Sequence, residues 1–143
     1  IKTAGFTFDQ IPYIWYKTAF AGQSMHPDKQ LGRCYESFIA LRKGLPTLQR
    51  TRGNVFDVPT VPGTRKIHPT ERPLTLMKEL LETFCRPKDS VLVPFAGSGK
   101  TLVAAAVTNR TAIGFDLQDD KGHCEYYDGF AVYASQMLWK NDK

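Results

Sequence analysis

Apolar residues along this chain fall into two kinds of run. Short runs of aromatic and β-branched residues predict strands. These are Ile11 to Lys17, which holds Tyr13, Ile14, Trp15 and Tyr16; Ser90-Val91-Leu92-Val93, read as a short buried strand; and Thr111 to Leu117, which closes on an acid, Asp116. Elsewhere apolar residues recur at three and four positions. Leu74, Met77, Leu80, Leu81 and Phe84 place one face of a helix in a core. That helix should begin near Pro73 with Thr70 as its N-cap, and Arg86-Pro87-Lys88-Asp89 should stop it. The alanine-rich stretch Thr101 to Thr108 and the segment Tyr126 to Trp139 predict two more helices. Tyr35 to Lys43 fits either a strand or a short helix. Phe20 to Arg33 is rich in turn-forming residues and reads as a loop. Leu45 to Lys66 mixes prolines, glycines and arginines, which predicts an exposed loop with no regular element.

Strand, Gly97-Ser98-Gly99 turn, helix, and strand with a terminal acid make a βαβ unit. Asp116 follows the turn by a little under ~20 residues, near the spacing of a ribose-binding carboxylate. Two ligands compete for such a turn, beside a purely structural role. Gly-Ser-Gly-Lys100-Thr101 has the ending of a phosphate-binding P-loop, but that loop needs a glycine where this chain has Pro94, which has no N–H to donate. An adenosyl group with an amino-acid tail needs close backbone approach at Gly97 and Gly99 and a carboxylate such as Asp116 for its ribose.

The 143 residues suit one domain, and an apolar content of 42% is enough for a core. No apolar run is long enough to span a bilayer. Cys34, Cys85 and Cys124 are scattered and odd in number, which suits a reducing, cytoplasmic setting. No Cys-x-x-Cys occurs, His26, His68 and His123 stand apart, and the adjacent His123-Cys124 side chains diverge, so no metal site is expected. Charge is uneven. Ten basic and four acidic residues lie up to Lys66, a net of +6, so the rest carries −1 of the total +5. A one-sided basic segment fits either a polyanion partner or a solvated lysine-rich surface.

The neighbours of the turn narrow the field. Ile67-His68-Pro69-Thr70-Glu71-Arg72-Pro73, then a helix, then Val91-Leu92-Val93-Pro94-Phe95-Ala96-Gly97-Ser98-Gly99-Lys100-Thr101, then Arg110 and Gly114-Phe115-Asp116, resembles the β-order DNA amino-methyltransferases that modify adenine N6 or cytosine N4. Ala4-Gly5-Phe6, Ile14 to Lys17 and Glu36 to Gly44 look like that family's last two strands before its recognition region, so the resemblance covers nearly the whole chain. It implies a partial Rossmann-like α/β methyltransferase fold, a mixed sheet flanked by helices, with S-adenosylmethionine as cofactor. It divides one partial domain over residues 1–143 into strands near the target side (1–44), a short recognition-type loop (45–66) and a cofactor-binding βαβ part (67–143). Carried over, Phe95, Gly97, Ser98, Gly99 and Thr101 line the cofactor, Asp116 holds the ribose, and His68 and Thr70 approach the methionine end; for His68 the alternative is a role only at the helix start. Arg42, Lys43, Arg50, Arg52, Arg65 and Lys66 meet DNA phosphates. Trp15, Tyr16 and Tyr35 are candidates to stack on a flipped base, with core packing as the alternative.

Three departures from the family pattern qualify that implication. Val93 stands where the family has an acid, which should weaken cofactor binding by roughly 1–3 kcal/mol if a charge-assisted hydrogen bond is lost. Lys100 replaces a usual threonine and adds a cation near a sulfonium. The Pro-Pro-aromatic motif that orients the target amine is absent; no Pro-Pro occurs among the 143 residues, so no catalytic residue is assigned. The expectation is the C-terminal, cofactor-side portion of a DNA methyltransferase of the restriction-modification or phage kind, needing an upstream segment or a second copy to complete its sheet. A non-catalytic nucleic-acid or protein binding module and a P-loop-like nucleotide binder are the alternatives.

Overall fold

The computed structural model describes residues 2–18, 26, 28–117 and 127–139. The His123-Cys124 pair, half of the expected 20–33 loop and Tyr126 lie outside the described residues. The chain divides into two compact units, Ile1–Thr60 and Val61–Lys143.

The first unit is built on strand β2, Tyr13–Tyr16. It pairs antiparallel with β3, Tyr35–Phe38, in the register Tyr13↔Phe38 to Tyr16↔Tyr35. The Tyr35–Lys43 run, open between strand and helix, is therefore strand: β3 and then β4, Leu41–Arg42, which pairs with β1, Thr7–Phe8. On its other side β2 pairs parallel with β5, Val55–Asp57. This corrects the reading of 45–66 as free of regular structure. Asn54 donates its side-chain amide to the Pro12 carbonyl at 2.9 Å and accepts the Ile14 N–H through its backbone, which seats the strand. Phe56 is fully buried, Val58 and Trp15 nearly so. The Trp15 indole donates to the Val58 carbonyl at 2.7 Å, satisfying the one polar atom of a buried ring. Three prolines and two glycines crowd 45–66, yet none falls within Val55–Asp57, so the parallel ladder forms.

The second unit carries α1, Leu74–Phe84; β6, Ser90–Val93; α2, Lys100–Val107; β7, Thr111–Gly114; and α3, Tyr127–Trp139. β6 and β7 pair parallel, from Ser90↔Thr111 to Val93↔Gly114, with α2 as their crossover. α2 packs on α1, α3 and both strands, and Val103, Ala104 and Ala105 are buried at that junction. Arg110, 9% exposed, donates to the carbonyls of Thr108 and Cys85 and so ties the ends of α2 and α1 together.

Three details differ from expectation. The α1 N-cap is Pro73, with no side-chain cap hydrogen bond, so Thr70 does not cap it. The buried face of α1 is Leu76, Met77, Leu81 and Thr83, with Leu74, Leu80 and Phe84 half-buried; Thr83 meets its polar requirement by donating to the Glu79 carbonyl. β6 is also not buried: Leu92 is 66% exposed, and its register partner Ile113 is 61% exposed. Among the described residues one face of the β6–β7 sheet is uncovered.

Phe56→Ala should destabilise the chain by about 3–5 kcal/mol through lost burial and a residual cavity. Leu45→Ala, at a 99% exposed position, should leave stability unchanged. Urea titration of both variants checks that β5 is core and its approach is surface.

Candidate functional site

Both ends of the βαβ unit converge at the C-terminal edge of β6 and β7. The backbone leaves β6, turns through Gly97 and Gly99, and enters α2; Gly99 caps that helix in the left-handed region, at φ +68°. The Ala96 N–H donates to the Phe115 carbonyl at 2.7 Å, and the Phe115 N–H to Val93 at 3.0 Å, so the turn is stitched to the strand after it. Asp116 closes the arrangement. One carboxylate oxygen accepts the Gly97 N–H, and the other accepts its own neighbour's, Leu117, at 2.8 Å.

Two clefts open here. A polar one of about 240 Å³ is lined by His68, Thr70, Glu71, Arg72, Met77, Phe95, Ala96, Gly97, Ser98, Lys100, Thr101 and Asp116. A more apolar one of about 200 Å³ is lined by Ala96, Gly97, Gly99, Leu102, Gly114, Phe115, Asp116, Tyr127 and Phe130. Gly97 and Asp116 belong to both. The structure thus brings His68, Thr70, Phe95, Gly97, Ser98, Thr101 and Asp116 around the first cleft and puts Gly99 in the second. Phe95 is 86% exposed and stands at the mouth. The Thr101 hydroxyl donates to the Met77 sulfur at 3.2 Å and so anchors α2 on α1.

The wall opposite the turn is local in origin. The Thr70 N–H donates to His68 Nδ1 at 3.2 Å, and the Thr70 hydroxyl lies 3.1 Å from the same nitrogen. A backbone N–H can only donate, so Nδ1 is the acceptor toward the Thr70 amide. That ring lies over the turn: a Cβ on Gly97 would meet His68 at 3.6 Å. Glu71, whose side chain is wholly buried, accepts the N–H of Ile67 at 2.6 Å and of His68 at 3.3 Å. Its other oxygen lies 3.3 Å from the ammonium of Lys100, which in turn stands over the ring of Tyr133. Burial pushes the Lys100 ammonium below its ordinary value and Glu71 opposes that; burial, then Glu71, pushes Tyr133 up.

Sequence reasoning missed Glu71, Arg72 and Met77 in the first cleft and Tyr127 and Phe130 in the second. A glutamate just ahead of a helix, placed to take up the loop amides of Ile67 and His68, was the available signal for Glu71. The two aromatics carried none, because nothing local says which face of α3 meets the turn.

The proposed phosphate-binding side chains fall in both units. In the first, Arg42 pairs with Asp9 at 2.5 Å, and Arg52 lies 3.8 Å over the Phe56 ring while donating to the Val55 carbonyl. Lys43 lies 5.8 Å over Phe6, and Arg50 is exposed. In the second, Arg65 is exposed and Lys66 donates to the Pro69 carbonyl at 3.2 Å. Of the aromatic candidates, Trp15 is core, Tyr16 is half-buried, and Tyr35 is 55% exposed.

A parallel βαβ unit, a glycine turn backed by a helix N-terminus, and an acid at the end of the next strand define an α/β protein built to hold a nucleoside-containing cofactor. The chain belongs to the N6/N4 DNA methylase family: the family model N6_N4_Mtase, described as DNA methylase, matches residues 9–126. YubD of Escherichia coli K12 is 33% identical over 120 residues, 81% of this chain and 48% of that protein. The DNA adenine methyltransferase YhdJ of the same strain is 36% identical over 100 residues, 66% of this chain and 34% of that one. The chain thus spans half or less of the length of these two relatives. In structure it is similar to the M1.HpyAVI–SAM complex, with a TM-score of 0.71 and 24% identity, over 96% of this chain and 65% of that one. The fold is therefore that of the methyltransferases, and the cofactor of the family is S-adenosylmethionine.

A side chain at Gly99 would be doubly penalised. The backbone is left-handed there, and a Cβ would lie 2.1 Å from the Phe130 ring. Gly99→Ala should cost at least about 1–2 kcal/mol from the backbone alone. Adding Phe130→Leu should recover only the part due to the clash. Chemical denaturation of the single and double variants separates the two.

Proposed function

We propose that this chain binds S-adenosylmethionine and forms the cofactor side of a methyltransferase acting on adenine N6 or cytosine N4 of DNA. The observation that carries the reading is the pair of adjoining clefts that share Gly97 and Asp116. An adenosyl group fits the apolar cleft beside Tyr127 and Phe130. Its ribose hydroxyls fit Asp116, whose carboxylate is already held at the turn by Gly97. The amino-acid tail fits the polar cleft at His68 and Thr70, which Ser98 and Thr101 also line. When bound, this cofactor supplies an electrophilic methyl group on a sulfonium; the chain's own residues bind and orient it, and catalysis is mainly positioning.

The group that orients the target amine is not among residues 1–143, so this chain alone should transfer no methyl group. The uncovered sheet face carrying Leu92 and Ile113 supports a partner there, either a further segment or a second copy, because parallel sheets are ordinarily covered on both faces. Exposed Lys43, Arg50 and Arg65 are candidates for DNA phosphates; Arg42 pairs with Asp9 and Arg52 covers the Phe56 ring. The P-loop alternative is disfavoured by Lys100, whose ammonium is turned into a buried contact with Glu71.

Titration calorimetry should detect S-adenosylmethionine binding, and Asp116→Ala should weaken it about tenfold to a hundredfold, the worth of a hydrogen bond to a charged group. Binding of magnesium–ATP with none of S-adenosylmethionine would reverse the choice of ligand. Light scattering after size exclusion should give a mass above the 16.1 kDa of one chain. A stable 16.1 kDa monomer that binds no apolar dye would remove the case for a covered sheet face.

A further inference from the structure

Lys100 opens α2, a position where a cation meets the positive end of the helix dipole. It is also buried, its side chain 7% exposed. Both effects disfavour an ammonium, and burial by itself drives such a group toward the neutral form. The structure offsets this with Glu71, whose Oε1 lies 3.3 Å from Nζ. The contact does more than neutralise charge. Glu71 Oε2 holds the N–H groups of Ile67 and His68, and the His68 ring rests on Gly97. A continuous path therefore leads from the first residue of α2, through the ion pair, to the loop that walls the polar cleft. Tyr133 of α3 lies under the ammonium and closes the cluster. A threonine at position 100 is too short to reach Glu71 in this way. The pair carries no net charge, so a sulfonium nearby is not repelled by it.

We propose that the Lys100–Glu71 ion pair is a positioning device that fixes the His68–Thr70 wall against the Gly97 turn and thereby sets affinity for the amino-acid end of the cofactor. The inference rests on the cleft being the S-adenosylmethionine site. Both side chains also line the polar cleft, and the role inferred for them is through the loop they hold. The adenosyl end, seated in the other cleft, is independent of them.

Calorimetry on the full chain with two probes tests this. S-adenosylhomocysteine carries the amino-acid end, and 5′-methylthioadenosine lacks it. Lys100→Met should weaken S-adenosylhomocysteine about tenfold or more, the scale of a charge-assisted contact, and leave methylthioadenosine unchanged. Lys100→Arg, which keeps a cation in reach of Glu71, should retain most of the affinity. The double variant Lys100→Met with Glu71→Gln strands no buried charge, so it should fold even where Lys100→Met does not, and should show the same selective loss. Equal weakening of both probes, or a double variant that binds S-adenosylhomocysteine as the wild type does, overturns the positioning role while the cofactor reading stands. A wild-type chain that binds neither probe overturns that reading and this inference with it.

Discussion

Parallel strands cannot be joined by a tight hairpin, and that constraint organises the cofactor unit. β6 and β7 run in the same direction, so the chain must leave one at its C-terminal edge and cross over through α2 before it enters the other. The glycine turn and Asp116 therefore arrive at the same edge of the sheet, 19 residues apart in sequence, and the Gly97 N–H meets the Asp116 carboxylate. Everything proposed for the site depends on that meeting. A helix N-terminus and a carboxylate side by side offer both donors and acceptors to one ligand, and the small side chains of α2 let α1 and the His68 loop close over them.

The βαβ unit was legible because it is local. Ser90–Val93, the glycine turn, α2 and the strand at Thr111 are each marked by their own residues and follow one another directly. What could not be read depends on residues far apart. β5 is three residues long and lies among prolines and arginines; only its parallel pairing with β2, some 40 positions away, makes it a strand. The Thr70 cap failed for a related reason. A cap argument considers only the residues before the helix, whereas here Pro73 starts α1 and the Glu71 carboxylate takes up the loop amides. The short apolar run of β6 pointed to a buried strand, but burial on both faces requires a cover that the described residues do not supply.

The basic bias of the first segment shows how charge overstates function. Summed along the sequence, Arg42, Lys43, Arg50 and Arg52 look like one polyanion-binding stretch. In the structure they have different roles. Arg42 forms a surface pair with Asp9, worth little by itself but enough to orient it across β1 and β4. Arg52 covers the face of Phe56, so part of its side chain belongs to the core it shields. Lys43 and Arg50 remain on the surface. A cation count is thus an upper bound on the number that can meet phosphates.

The same reasoning applies inside the cleft, with opposite consequence. Read by type, Val93 removes a negative charge from the site and Lys100 adds a positive one, so both changes oppose a cationic cofactor. Read by position, they are not equivalent. Val93 is absent from the residues lining either cleft, and its carbonyl is engaged by the Phe115 N–H. Lys100 does line the polar cleft, but it brings its charge within 3.3 Å of a wholly buried carboxylate, so the cation is matched by Glu71. Without Lys100, Glu71 would be a buried acid with only two amide donors; without Glu71, Lys100 would be a buried cation at the wrong end of a helix dipole. Each residue is tolerable because of the other, and together they leave Asp116, held by the Gly97 and Leu117 N–H groups, as the carboxylate at the turn that lines both clefts.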